Sequence, residues 1–293
     1  MRKTVIALGF FDGVHRGHQR ILKTAVKVAE EKGCTPIVVT FENQPRAFLT
    51  KKAPTLLTNN AQREGYIRRQ GIEEVHMLPF DEEMAAMPPE DFVRDILIGQ
   101  FHCAAVVCGE NFTFGAKGLG NGHLLEQLGK KYGFESHVCF PVVHDGETVS
   151  STWIRKLVAE GNVRKATSLL GHDYILQGTI VHGRGVGRKL GFPTGNFELK
   201  YGMLVPKFGV YAAWLRTDTG VYRTALNIGV RPTFGLTTPV VEFNILDFSG
   251  DLYDADIELS LVDFLRPEQT FDSKEALVEQ ITRDVARVKE ILA

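Results

Sequence analysis

The strongest chemical signal in the sequence is a pair of histidines three residues apart, His15 and His18, with Gly17 between them. They end the stretch Gly9-Phe10-Phe11-Asp12-Gly13-Val14-His15-Arg16-Gly17-His18. This follows the apolar run Val5-Ile6-Ala7-Leu8 and precedes Ile21, Leu22, Ala25, Val28 and Ala29 at helical spacing. The order reads as a buried strand, a glycine-bearing turn and a helix that Gly33 ends. Gly9 and Gly13 relax the backbone of the turn. Side chains three apart at a helix start share a face, beside free backbone N–H groups and the positive end of the helix dipole. A phosphate would be held there, and Gly17 would let a phosphate chain approach the backbone. Positioned donors of this kind suit a reaction in which negative charge grows on phosphorus and the protein supplies no nucleophile. Two plainer readings stand beside it. One is a zinc pair, for which partners at ligand spacing are missing; the other is a pair of satisfied structural histidines.

These residues need a scaffold, and the chain is long enough for two. At 293 residues it predicts two domains, each with its own core, placed at 1–171 and 172–293. Hydrophobic residues make up 44% and charged residues 24%, the balance of a soluble globular protein. Lys plus Arg number 34 against 35 Asp plus Glu, so no global field draws in nucleic acid or an anionic membrane. No apolar run approaches the ~20 residues of a membrane span, and Met1-Arg2-Lys3 leads straight into the first strand, so a cytoplasmic enzyme is expected. Cys34, Cys103, Cys108 and Cys139 stand singly in or beside apolar runs and read as reduced, mostly packed thiols. The oligomeric state is left open.

Strand and helix signals alternate through the first half. Residues 35–41 read as a strand that delivers Glu42-Asn43-Gln44-Pro45 to the same edge as His15. Helix is expected over 61–69, 91–98 and 124–131, and strand over 75–78, 104–108 and 136–143. Such alternation implies a parallel, doubly wound, Rossmann-like sheet whose ligands gather at the carboxyl ends of its strands. Gly109-Glu110-Asn111-Phe112-Thr113-Phe114-Gly115 reaches that edge and opens a loop rich in glycine through Gly122, read either as a mobile surface loop or as a flap whose aromatics touch a base or flavin. Val149-Ser150-Ser151-Thr152-Trp153-Ile154-Arg155 reaches it too, with hydroxyls that cap the next helix and an arginine suited to phosphates. A helical run over 154–170 ends the domain.

From Tyr174 the pattern turns to short β runs, 174–181, 209–216, 222–228, 240–246 and 257–264, which predict a small antiparallel barrel. A closing helix over 273–292 is expected to pack on it, started by Asp272 and Glu275 as a capping box. Gly183, Gly185 and Gly187 with Arg188 and Lys189 read as a phosphate-cradling flap rather than a dinucleotide fingerprint, because Phe192-Pro193-Thr194 follows where a helix should open. Thr194 and Asn196, two apart in an extended segment, point the same way and suit a magnesium ion with phosphate; a turn binding only its own backbone is the plainer reading. Glu242 alternates with Val241 and Phe243, so it is either a solvated side chain or a reactive one.

The first stretch resembles the (H/T)xGH signature of nucleotidylyltransferases in the form found in prokaryotic FAD synthetases. Gly109 to Gly115 and Ser150 to Arg155 match that family's G-x-(D/N)-F-x-F-G and S-S-T-x-I-R motifs. Gln44 departs from it, standing where histidine is common. The second half is similar to riboflavin kinase through Gly187-Arg188-Lys189-Leu190-Gly191-Phe192-Pro193-Thr194-Gly195-Asn196, the segment Asn227 to Phe234, and Glu242 with Leu246-Asp247-Phe248. Asn244 stands where histidine is common there. The order of the two resemblances is that of the bifunctional riboflavin kinase/FAD synthetase family. The resemblance implies that riboflavin is phosphorylated by ATP to FMN and that FMN is then adenylylated to FAD, with magnesium as cofactor. It implies catalytic roles for His15, His18, Arg155 and Glu242, and a metal site at Thr194 and Asn196. Gly9, Phe11, Asp12, Gly17, Asn111, Ser151 and Thr152 are the implied nucleotide- and flavin-binding positions. Two rivals remain: a kinase whose N-terminal half only binds flavin nucleotides, and a flavin sensor without activity.

Overall fold

The first apolar run forms strand β1 (Thr4–Leu8), covered on both faces. In this computed structural model, which describes residues 2–50, 54–181, 194–199, 202–233, 236–248, 250 and 255–293, the alternation then proceeds as the periodicity implied. The order is α1 (Arg16–Lys32), β2 (Thr35–Phe41), α2 (Pro45–Thr50), α3 (Asn60–Arg68), β3 (Glu74–Leu78), α4 (Glu82–Ala86), α5 (Phe92–Gln100), β4 (Cys103–Gly109), α6 (Gly122–Tyr132) and β5 (Glu135–Cys139). All five strands pair in parallel in the order β3-β2-β1-β4-β5. Val5 and Ala7 pack with Leu22 and Ala25 of α1 and Ile67 of α3, whereas Ile6 and Leu8 pack with Val93 and Leu97 of α5 and Leu125 of α6. With β1 flanked by β2 and β4, the winding reverses beside β1, and the crevice at its carboxyl end is where such sheets take ligands.

Several local details differ from the expectations. The strand expected over 136–143 stops at Cys139, because Pro141 cannot continue the ladder; Val143–His144 (β6) and Glu147–Thr148 (β7) form a separate hairpin. Helix α5 is wound with wider turns, as in the 3.1 Å bond from Phe101 N–H to the Ile96 carbonyl. The helical run over 154–170 is two helices, α7 (Ser151–Ala159) and α8 (Val163–Leu170). Gly161, at φ +83°, breaks it, and the Asn162 side chain caps the second helix by accepting from Lys165 N–H at 3.3 Å. All four cysteines are free, and three are buried; burial pushes the Cys108 thiol up to about 12.

By packing, the chain divides into Met1–Ser151 and Thr152–Ala293, earlier than the boundary read at residue 171, because α8 lies on barrel strands β8 (Tyr174–Val181) and β13 (Asp256–Arg266). Arg164 of α8 also pairs with Asp263 of β13 at 2.7 Å. The remaining staves are β9 (Gly195–Leu199), β10 (Gly209–Arg216), β11 (Val221–Thr233) and β12 (Leu236–Ile245). The six strands close as an antiparallel barrel, β10-β11-β12-β9-β8-β13. Strand β9 was read only as an extended segment. Helix α9 (Lys274–Ile291) packs Val288, with Leu292 just beyond it, against Ala212 and Leu246 on the barrel wall. Its cap is Ser273, whose hydroxyl accepts from Ala276 N–H at 3.1 Å, not Asp272, so the expected box with Glu275 does not form.

Candidate active sites

The turn after β1 is held in a costly shape. Phe11, Gly13 and Val14 all lie at positive φ (57°, 79° and 38°), and only Gly13 adopts that region freely. Gly9 makes the shape possible, since a Cβ there would stand 2.9 Å from the Phe11 ring. The carboxylate of buried Asp12 accepts from the N–H groups of Leu57 and Thr58, at 2.9 and 3.2 Å, and Gly13 N–H donates to the Thr58 hydroxyl at 3.0 Å. The Ser151 hydroxyl donates to the Asp12 carbonyl at 2.9 Å. Among the positions expected to bind nucleotide or flavin, Gly9, Phe11, Asp12 and Ser151 thus all shape this turn.

The turn delivers His15 as the cap of α1. Its Nδ1 accepts from His18 N–H at 3.3 Å, so a neutral His15 carries its proton on Nε2 and presents that nitrogen as a donor. The two imidazoles stack, with centroids 3.6 Å apart and planes 17° from parallel, and Phe11 meets His18 edge-on at 5.3 Å. Burial first, and the neighbouring His15 second, hold His18 well below the ordinary histidine pKa, so the His18 ring is uncharged near neutrality. The His18 Nδ1 is buried without a hydrogen-bond partner among the described residues. Gly17 also leaves room for the cap: a Cβ there would stand 3.1 Å from the His15 ring.

Arg63, which sequence reasoning missed, lies beneath this turn. Only 1% exposed, it donates from Nη1 to the Phe10 carbonyl (3.0 Å) and from Nη2 to the Phe41 carbonyl (2.6 Å), and it lies 4.4 Å over the Phe10 ring. Asn111 is exposed directly beyond β4, on the same sheet edge. The loop that follows is no free flap. Phe114 is 7% exposed and packs on Phe92 in the core, and Phe114 and Gly120 exchange backbone bonds of 3.1 and 2.8 Å. That corrects the expectation that both aromatics touch a ligand. Thr152 and Arg155 lie on α7, beyond the division between the units.

The second site is on the barrel. Register places Glu242 directly between Asn196 of β9 and Asn227 of β11, so the three form one row on one face. Val241 and Phe243, on the opposite face, are buried. Glu242 is nevertheless not simply solvated: it lines a cavity of about 410 Å³ with Thr194, Asn227, Asn244, Arg266 and Phe271, which α9 also walls. Arg266 grips Asp284 of α9 with two nitrogens, at 3.0 and 2.7 Å, and Gln280 donates to the same carboxylate at 2.9 Å. Asn227 opens one of the kinase-like motifs, but its place beside Glu242 and that of Arg266 in the cavity carried no signal in the sequence, because register and the covering helix are long-range facts. Gly183, Gly185, Gly187, Arg188 and Lys189 lie outside the described residues. The hydroxyl of Thr194 and the amide of Asn196 beside a carboxylate are hard oxygen donors, few in number, which fits a magnesium ion that also takes phosphate and water. Among the described residues no three His, Cys, Asp or Glu side chains gather as a metal site, so the zinc reading gains no support.

One unit thus presents imidazole donors at a helix start, the other a carboxylate among oxygen donors in a lined cavity, and both arrangements suit phosphate groups. The class is that of a two-unit phosphate-transferring enzyme. Residues 1–153 match the FAD synthetase family and residues 170–292 the riboflavin kinase family. A bifunctional riboflavin kinase/FMN adenylyltransferase of Bacillus subtilis is 35% identical over 96% of this chain and 90% of its own length. The protein of the same description from Escherichia coli K12 is 35% identical over 98% and 92%. A crystal structure from Streptococcus pneumoniae, described as a macrolide-efflux protein, superposes with a TM-score of 0.92 at 30% identity, covering 98% of this chain and 94% of that one. No helix among the described residues is long and apolar enough to cross a membrane. The chain belongs to the bifunctional riboflavin kinase/FAD synthetase family.

Proposed function

We propose that the two activities of this family, riboflavin phosphorylation and FMN adenylylation, are carried by the two sites described above. In the barrel, Glu242 accepts the proton of the riboflavin 5′-hydroxyl as that oxygen takes the γ-phosphoryl group of ATP, leaving ADP and FMN. The flanking amides of Asn196 and Asn227 hold the carboxylate's neighbourhood polar, and the apolar wall with Phe271 and Leu277 receives the flavin ring. Thr194 and Asn196 would hold magnesium, which supplies charge neutralisation at the phosphates. Gly183, Gly185, Gly187, Arg188 and Lys189 are assigned to the phosphates on the sequence pattern.

In the first unit a phosphate oxygen of FMN attacks the α-phosphorus of a second ATP, and pyrophosphate leaves. His15 Nε2–H and His18 donate to the oxygens on which charge grows, with the backbone at the start of α1, and no residue is covalently modified. Arg155 is the third donor, on the family motif alone. Asn111 and Thr152, at the sheet edge and the start of α7, are assigned to nucleotide and flavin. On this reading the adenylyltransferase domain runs through residue 171, since it needs Arg155, and the kinase domain is 172–293. Consumption of ATP and four free thiols support action in the cytoplasm.

The observation that carries the reading is the capped and stacked His15–His18 pair, which fixes a donor at the sheet's ligand edge. The test is chromatography of flavins after incubation with riboflavin, ATP and magnesium. Wild type should give FMN and then FAD. His18→Ala should stop at FMN, with adenylylation slowed on the order of 10²–10³-fold. Glu242→Gln should make FAD only from supplied FMN, with phosphorylation slowed on the order of 10²–10⁴-fold. A wild type that stops at FMN would make the first unit a binding module, the reading that the Gln44 departure favours; no conversion at all would leave the sensor.

A further inference from the structure

We propose that Arg63 is a positioning residue for adenylyl transfer, holding the turn that aims His15 and His18 by gripping the backbone carbonyls of Phe10 and Phe41 from α3. The proposal rests on the adenylyl-transfer reading of that site. Two fastenings join the 57–63 segment to the turn, and they lie at its two ends. At one end Leu57 and Thr58 donate to Asp12. At the other the Arg63 guanidinium spans the carboxyl ends of two neighbouring strands, with the Phe10 carbonyl after β1 and the Phe41 carbonyl at the end of β2. A further donation to Asn60 Oδ1 at 3.1 Å and the Phe10 ring beneath the guanidinium fix its plane.

A buried arginine is a costly way to fill space, and a hydrophobic side chain of similar volume is often as stabilising or more so. Burial lowers the Arg63 pKa to about 10, partly opposed by Asp12, and its Nε has no hydrogen-bond partner among the described residues. What an apolar replacement cannot do is hold two carbonyls at a fixed separation. That separation matters because Phe11 and Val14 sit at positive φ, a backbone shape that persists only where its surroundings over-determine it. Val14 is bonded directly to His15. Release of the Phe10 carbonyl lets the turn relax toward ordinary backbone angles, and the His15 ring moves with it. A displacement of about 1 Å at a reacting centre costs on the order of 10² in rate.

The experiment compares wild type, Arg63→Met, Arg63→Lys and Arg63→Ala as full chains, with FMN to FAD and riboflavin to FMN conversion measured on the same preparations. Arg63→Met should lower kcat for FAD formation on the order of 10²-fold, with the KM values for ATP and FMN moving less than about threefold, because the donors are misaimed rather than removed. Riboflavin phosphorylation should stay within about twofold of wild type, which shows that the barrel is intact, while the nearly unchanged KM values for ATP and FMN show that the first unit is folded. Arg63→Lys keeps a charge and can hold one carbonyl, so its kcat should fall between the two. Added guanidinium should restore part of the activity of Arg63→Ala, a response that mere loss of packing would not give. Equal kcat in wild type and Arg63→Met overturns the proposal, and so does a Lys variant no better than Met. If Met or Ala fails to fold, Arg63→Lys decides: wild-type kcat in it overturns the proposal. A wild type that makes no FAD sinks the adenylyl-transfer reading instead, so the two failures are distinguishable.

Discussion

His18 shows how one side chain's surroundings set both its chemistry and a stability term. Its folded pKa lies below the unfolded value near 6.5, because burial and His15 disfavour the charged ring. The unfolded chain therefore binds more protons in the window below about 6.5, and stability from this group rises with pH through that window. The contribution is complete above the unfolded pKa and is lost as pH falls toward the folded one. Thermal denaturation at about pH 7 and about pH 5.5 should show a larger drop for wild type than for His18→Gln, whose ring cannot titrate. Equal drops in the two proteins would place the proton uptake elsewhere. The same burial keeps His18, stacked on His15, an uncharged donor, which can stabilise charge on phosphate without handing over a proton.

At the scale of elements, the loop from Gly109 to Gly122 is fastened by a side chain that glycine admits. A Cβ at Gly120 would stand 2.6 Å from the Phe114 ring, and that ring is packed on Phe92 in the core. Gly120→Ala should therefore destabilise the protein by about 1–3 kcal/mol in urea unfolding, the cost of overpacking. An unchanged midpoint would mean that the loop moves aside freely. The parallel sheet was legible because β1, β2 and β4 are short apolar runs that alternate with helical patterns, and that pattern has one common solution. The break between α7 and α8 was not seen, because Leu157, Val158, Val163 and Ala166 keep an apolar stripe across it; Gly161 beside Asn162 was the available sign. At the sites, residue type and local spacing singled out His15, His18 and Thr194 as candidates, whereas Glu242 was singled out only through the resemblance to riboflavin kinase. The Asn196–Glu242–Asn227 row and the Arg63 grip were not, since both depend on partners many residues away. Alternation along β12 said which face Glu242 shares, but not that α9 covers it.

At the scale of the whole molecule, each unit has its own core and its own site, so damage to one site should leave the other working. A mixture of His18→Ala and Glu242→Gln proteins should turn riboflavin into FAD although neither does so alone, with FMN released by the first and consumed by the second. Failure of the mixture, with each single activity intact, would show that FMN is not shared through solution. The strand order also sets a timetable for synthesis. The parallel sheet is complete once β5 has left the ribosome, and its last brace, the Ser151 hydroxyl, follows soon after. The barrel cannot close until β13, among the last strands made, pairs with β8, the first of its staves. At typical rates of elongation that is on the order of ten seconds later. During that interval a nascent chain holds a finished adenylyl-transfer sheet and an open-edged kinase, so the second half is the part that needs shelter while it is being made.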